Sequence, residues 1–126
     1  MEFLTEDEAI QVDAALLSSK EKFSTRLAIY ALRCLKEIAE TQDIKIDNIK
    51  PEQVQYWVKN DDSFKEKLEL DSNFHDFFSK LVISSLKPLK QASQAENIPI
   101  QDLTVKQLIQ WFEQQSKNNL AQESPI

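Results

Sequence analysis

This sequence predicts an all-α fold of about six helices, arranged as two tandem three-helix repeats with pseudo-twofold symmetry. Three observations predict it. The 126 residues contain no glycine. Most segments are rich in Leu, Ala, Glu, Lys and Gln, the good helix formers. A shift of 54 positions, Leu27 onto Leu81, lays one half over the other without a gap.

The repeat is read over Leu27–Val58 against Leu81–Phe112. Identities fall at Phe23/Phe77, Leu27/Leu81, Ile29/Ile83, Leu32/Leu86, Leu35/Leu89, Lys36/Lys90, Ile44/Ile98, Ile46/Ile100, Gln53/Gln107 and Trp57/Trp111. Any two amphipathic helices share apolar positions. Here the register also crosses a loop and reproduces a tryptophan, which helical periodicity alone does not explain. Repeat one spans about residues 5–60 and repeat two about 61–115 of a single helical domain, 1–117, with a flexible tail at 118–126.

The first helix is expected from Glu6 to about Leu17. Thr5 and Glu8 have capping-box spacing, and Leu4 with Ala9 suits a hydrophobic staple. The second, from Ser19 to about Glu40, opens on a Ser18/Glu21 box. Its apolar positions Phe23, Leu27, Tyr30, Ala31, Cys34 and Ile38 are widened by Ile29, Leu32 and Leu35, so it is expected to be central and mostly buried. An I-x-I-x-x-[IL] stretch follows (Ile44 to Ile49, and Ile98 to Leu103), read as short extended pieces that pair across the twofold axis. Pro51 then suits the first position of a third helix.

Repeat two has its first helix at about Ser63 to Leu70, preceded by Asp61 and Asp62. Its second helix starts near Asn73 and carries Pro88 where repeat one has Cys34. Proline removes a helical hydrogen bond, so a kink or break is expected there. Thr104 and Gln107 cap the last helix, and from Ser116 the periodicity fades.

Composition narrows function. Without glycine, dinucleotide fingerprints, P-loops, EF-hand loops and nucleophile elbows are missing in their usual forms. One cysteine, Cys34, leaves no internal disulfide or multi-cysteine zinc site, and it reads as a buried small hydrophobe. No metal and no cofactor are expected. A net charge of −6 disfavours nucleic acid. No apolar run approaches the roughly 18 residues of a membrane span. Glu2, Glu6, Asp7 and Glu8 stand where a secretory signal would be basic, so a cytoplasmic protein is expected.

Three groups of residues are candidates. Arg26, Arg33 and Lys36, with their counterparts Lys80, Lys87 and Lys90, fall on one side of a helix in each repeat. They suit an acidic partner, a phosphate or a carboxylated ligand, or else a solvated face partly paired with Glu37, Glu40 or the acidic first helix. Trp57 and Trp111 are possible aromatic anchors, although their spacing to Val54, Val58, Leu108 and Phe112 suits pins into the core. His75, near Asp71 and Asp76, has no companion nucleophile or metal-ligand set.

The leading expectation is a non-enzymatic binding or adaptor protein, working through helix faces on a protein partner or as a homodimer. A small anionic-ligand or phosphate sensor at the seam between repeats comes second. An enzyme using carboxylates or His75 comes third.

Overall fold

The computed structural model describes residues 4–60 and 72–123, and every regular element among them is helical. The order is α1 (Glu6–Ala14), α2 (Ser19–Gln42), a 3-10 turn (Ile46–Asn48), α3 (Pro51–Lys59), α4 (Ser72–Ser84), α5 (Leu86–Glu96), a second 3-10 turn (Ile100–Asp102) and α6 (Val105–Glu123). The expected helix at 63–70, with Asp61 and Asp62, lies outside the described residues, as does the His75 side chain.

The helix starts follow the capping chemistry. The Thr5 N–H donates to Glu8 Oε1 at 2.9 Å while the Glu8 N–H donates to Thr5 Oγ1 at 3.2 Å. Ser18 with Glu21 and Thr104 with Gln107 make the same reciprocal pairs. Each pair satisfies N–H groups that the first helical turn leaves without partners. Pro51 occupies the opening turn of α3, where the Lys50 N–H donates to Gln53 Oε1 at 2.7 Å.

Three boundaries depart from the sequence reading, and the break expected near Pro88 is present with its position shifted. Helix α1 stops at Ala14 rather than Leu17, because the Leu16 N–H donates to Glu113 Oε2 of α6 at 3.0 Å instead of continuing the helix. The I-x-I stretches are 3-10 turns, not extended pairs. In each turn the first isoleucine, Ile46 or Ile100, is buried, and its carbonyl accepts from the N–H of Ile49 or Leu103. The helix of repeat two breaks at Ser85, three residues ahead of Pro88. Proline has no N–H for the Ser84 carbonyl, and the Ser85 N–H turns back to the carbonyls of Leu81 and Val82 at 3.2 and 3.1 Å. Finally, α6 runs on through Ser116 to Glu123; Ser116 is buried and its hydroxyl donates to Glu21 at 3.1 Å.

Local geometry recurs 54 residues apart. Asp43 (φ 53°) and Asn97 (φ 57°) both end a helix in the left-handed region. After each, the next N–H reaches back to close the turn, Ile44 to the Ala39 carbonyl and Ile98 to the Ser93 carbonyl, both at 3.0 Å. In a chain without glycine, Asp and Asn are the residues that reach this conformation most readily.

Helix α2 is central and touches every other α-helix described. Ala28, Ile29, Tyr30, Ala31, Cys34, Leu35 and Ile38 are all buried along it. They form one core with Val54 and Val58 of α3, Val82 of α4, Leu89 of α5 and Leu108 of α6. Helix α3 lies chiefly against α4, and α6 chiefly against α2, so each half sends its last helix onto the long helical segment of the other.

Candidate interaction surface

The six basic residues divide by repeat. In repeat one the chain itself engages all three. Arg26 pairs with Asp13 and Arg33 with Glu8, both on α1, while the Lys36 ammonium donates to the Leu103 carbonyl at 2.9 Å. Lys22 adds a 2.8 Å hydrogen bond to the Asp13 carbonyl. Helix α1 thus lies on α2 as an acidic strap, fixed by Val12, which is fully buried. In repeat two, Lys80, Lys87 and Lys90 are exposed and make no ion pair or hydrogen bond among the described residues. Among the described residues the two sets of three therefore differ in their pairing.

Glu8 is held by several partners at once. Burial pushes its pKa up, but hydrogen bonds from Arg33 and the Thr5 backbone, with the charge of Arg33, outweigh that and leave it below its ordinary value. The carboxylate stays ionised against the guanidinium at neutral pH.

Two of the concavities outside this strap bear on function. A cleft of about 560 Å³ opens where the start of α2 meets α5 and α6, between Lys20, Glu21, Pro88, Trp111 and Phe112. Here the first half of the chain meets the second, and none of the six basic residues lines the cleft. Among the described residues its charges are one cation, Lys20, and one carboxylate, Glu21. Glu21 is held below its ordinary pKa, first by the Ser18 backbone N–H, then by the Ser18 and Ser116 hydroxyls. A carboxylate so held is a poor proton donor at neutral pH and repels an anionic ligand. The second is a depression of about 580 Å³ on the α4–α5 side, with Ile83 and Leu86 half-buried beside Lys87, Lys90 and Gln94.

The tryptophans are half-buried pins. Trp57 meets the buried Tyr30 edge-on with ring centroids 6.2 Å apart, and Trp111 meets Phe112 at 5.1 Å. Both pack against the core, and Trp111 also walls the cleft. Among the described residues the exposed aromatics are others: Tyr56 of α3 at 71%, Phe77 of α4 at 60% and Phe23 of α2 at 47%. The signal for Tyr56 was available, since it falls off the Val54/Val58 stripe. Phe77 was hidden, because its repeat partner Phe23 reads as core and is itself exposed.

Among the described residues, no three His, Cys, Asp or Glu side chains gather as a metal site, and no helix is long and apolar enough to cross a membrane. What the described residues present is helix surface bearing exposed cations and exposed aromatics. The molecule's class is that of small all-helical proteins. The family model of the NDH complex assembly factor CRR9 matches residues 4–119, and the chain belongs to that family. No curated protein and no solved structure matches it.

Proposed function

We propose that this chain is a non-enzymatic assembly factor for the NDH complex, holding a subunit or part-built module through its helix faces during construction. The observation that carries this reading is the family match across residues 4–119, nearly all of the chain. The surface agrees with it: open cations and exposed aromatics stand on helices among the described residues. The chain acts in the aqueous phase where the NDH complex is built; that family role, rather than cytoplasmic residence as such, defines its compartment.

The test is removal and capture. Cells lacking the chain should accumulate less intact NDH complex on native gels, with partial assemblies in its place. A tagged chain should co-purify with partial assemblies and not with the finished complex. Normal accumulation of the complex without the chain ends this reading.

We also read the architecture as two copies of one unit about a pseudo-twofold axis, forming a single domain over residues 4–117. The left-handed residues Asp43 and Asn97, the two 3-10 turns and the exchanged packing of α3 and α6 support it. An experimental structure in which residues 18–60 and 72–114 follow unrelated paths rules it out. Self-association is tested by sedimentation, where a monomer at working concentration leaves only heterologous partners.

A further inference from the structure

The two repeats present the same four side-chain positions in different states. In α2 these are Ile29, Leu32, Arg33 and Lys36; 54 residues on they are Ile83, Leu86, Lys87 and Lys90. In repeat one the set is closed. Ile29 and Leu32 are 1% and 3% exposed, Arg33 is tied to Glu8 of α1, and Lys36 to the Leu103 carbonyl. In repeat two, among the described residues, the set is open. Ile83 and Leu86 are half-buried in the 580 Å³ depression, and the lysines beside them have no partner among the described residues.

We infer that the Ile83–Leu86–Lys87–Lys90 face is a docking site for an acidic amphipathic helix of a partner protein, which rests on the assembly role proposed above. The chain supplies its own template for such a helix. Helix α1 carries Glu8 and Asp13 on either side of the buried Val12, and these carboxylates meet Arg33 and Arg26 in antiparallel order. A partner helix that carries an apolar residue flanked by carboxylates finds the same combination here, an apolar pair beside Lys87 and Lys90. Its apolar residue covers Ile83 and Leu86, and its carboxylates neutralise lysines that are otherwise solvated.

The test uses the full chain and, as probe, a free peptide of α1 sequence (residues 4–17), with a carbodiimide that joins carboxylates to nearby amines. Coupling to Lys87 and Lys90 is expected. The K87E/K90E variant should bind the peptide at least tenfold more weakly, as should wild type with a peptide carrying Glu8→Gln and Asp13→Asn. Both lysines are exposed, so circular dichroism should be unchanged by the reversal. No binding, or coupling only at Lys20 or Lys22, overturns the inference. So does coupling of Lys87 or Lys90 to residues 61–71 of the same chain, or a dimer that K87E/K90E dissolves, since either gives the face another occupant. In cells, K87E/K90E should fail to restore the NDH complex where wild type succeeds. If the variant restores it, this inference fails and the assembly role stands. If wild type itself restores nothing, the assembly role fails, and the peptide experiment still decides the face.

Discussion

Glu8 does three things at once: it caps α1, pairs with Arg33 and sits in a partly buried position. Exposed ion pairs contribute about 0–1 kcal/mol, and losing a capping interaction costs about 1 kcal/mol. Glu8→Ala should therefore lower stability by about 1–2 kcal/mol, measured by urea unfolding. The same residue sets a pH dependence. Its pKa is lower in the folded state than its ordinary 4.5, so the unfolded chain takes up the proton first as acid is added. The stability it contributes is complete above pH 4.5 and drains away as pH falls through the folded-state value. Glu21, also lowered, acts in the same direction. The melting temperature should be level near neutrality and fall below about pH 5, and Glu8→Gln should make that fall shallower.

The helix ends carry the next scale. Asp43 and Asn97 hold left-handed conformations that glycine reaches at no steric cost. Asp43→Gly and Asn97→Gly should each stabilise by roughly 0.5–1 kcal/mol, and Asp43→Val should destabilise by at least 1 kcal/mol. Denaturation midpoints with unchanged slopes would show it. At this scale the capping boxes were legible, because they depend on residues three apart. The Pro88 break was legible too, since a missing N–H acts within one turn. The I-x-I turns were not. Alternating isoleucines imitate a strand, yet the left-handed residue before each stretch redirects the chain, and an i to i+3 bond then winds Ile46 toward Ile49. The length of α6 was hidden because the residue that extends its buried face is a serine, satisfied by Glu21 from 95 positions away.

For the whole molecule, the weight falls on α2. Leu35 is 1% exposed on a helix that every other described α-helix touches. Leu35→Ala should cost about 2–5 kcal/mol, a large share of a small domain's total, and equilibrium unfolding should show it. The burial of α2 could be read from its broad apolar surface. The fate of the basic residues could not. Helical spacing placed Arg26 and Arg33 on one side, but their partners lie 13 and 25 residues earlier on a separate helix. Repeat symmetry suggested that both sets of cations act alike, whereas the described structure pairs one set and leaves the other to solvent.

The exchange of α3 and α6 between halves has a further result. A chain cut after Asn60 gives two fragments, and each loses the long helix against which its last helix chiefly lies. The apolar core, which draws Val54 and Val58 from one fragment and Leu108 from the other, would then be divided. Neither fragment should be helical by itself, and mixing them should restore native circular dichroism at equal stoichiometry. For the same reason two intact molecules, unfolded together at high concentration and returned to buffer, can trade halves and emerge as an intertwined dimer.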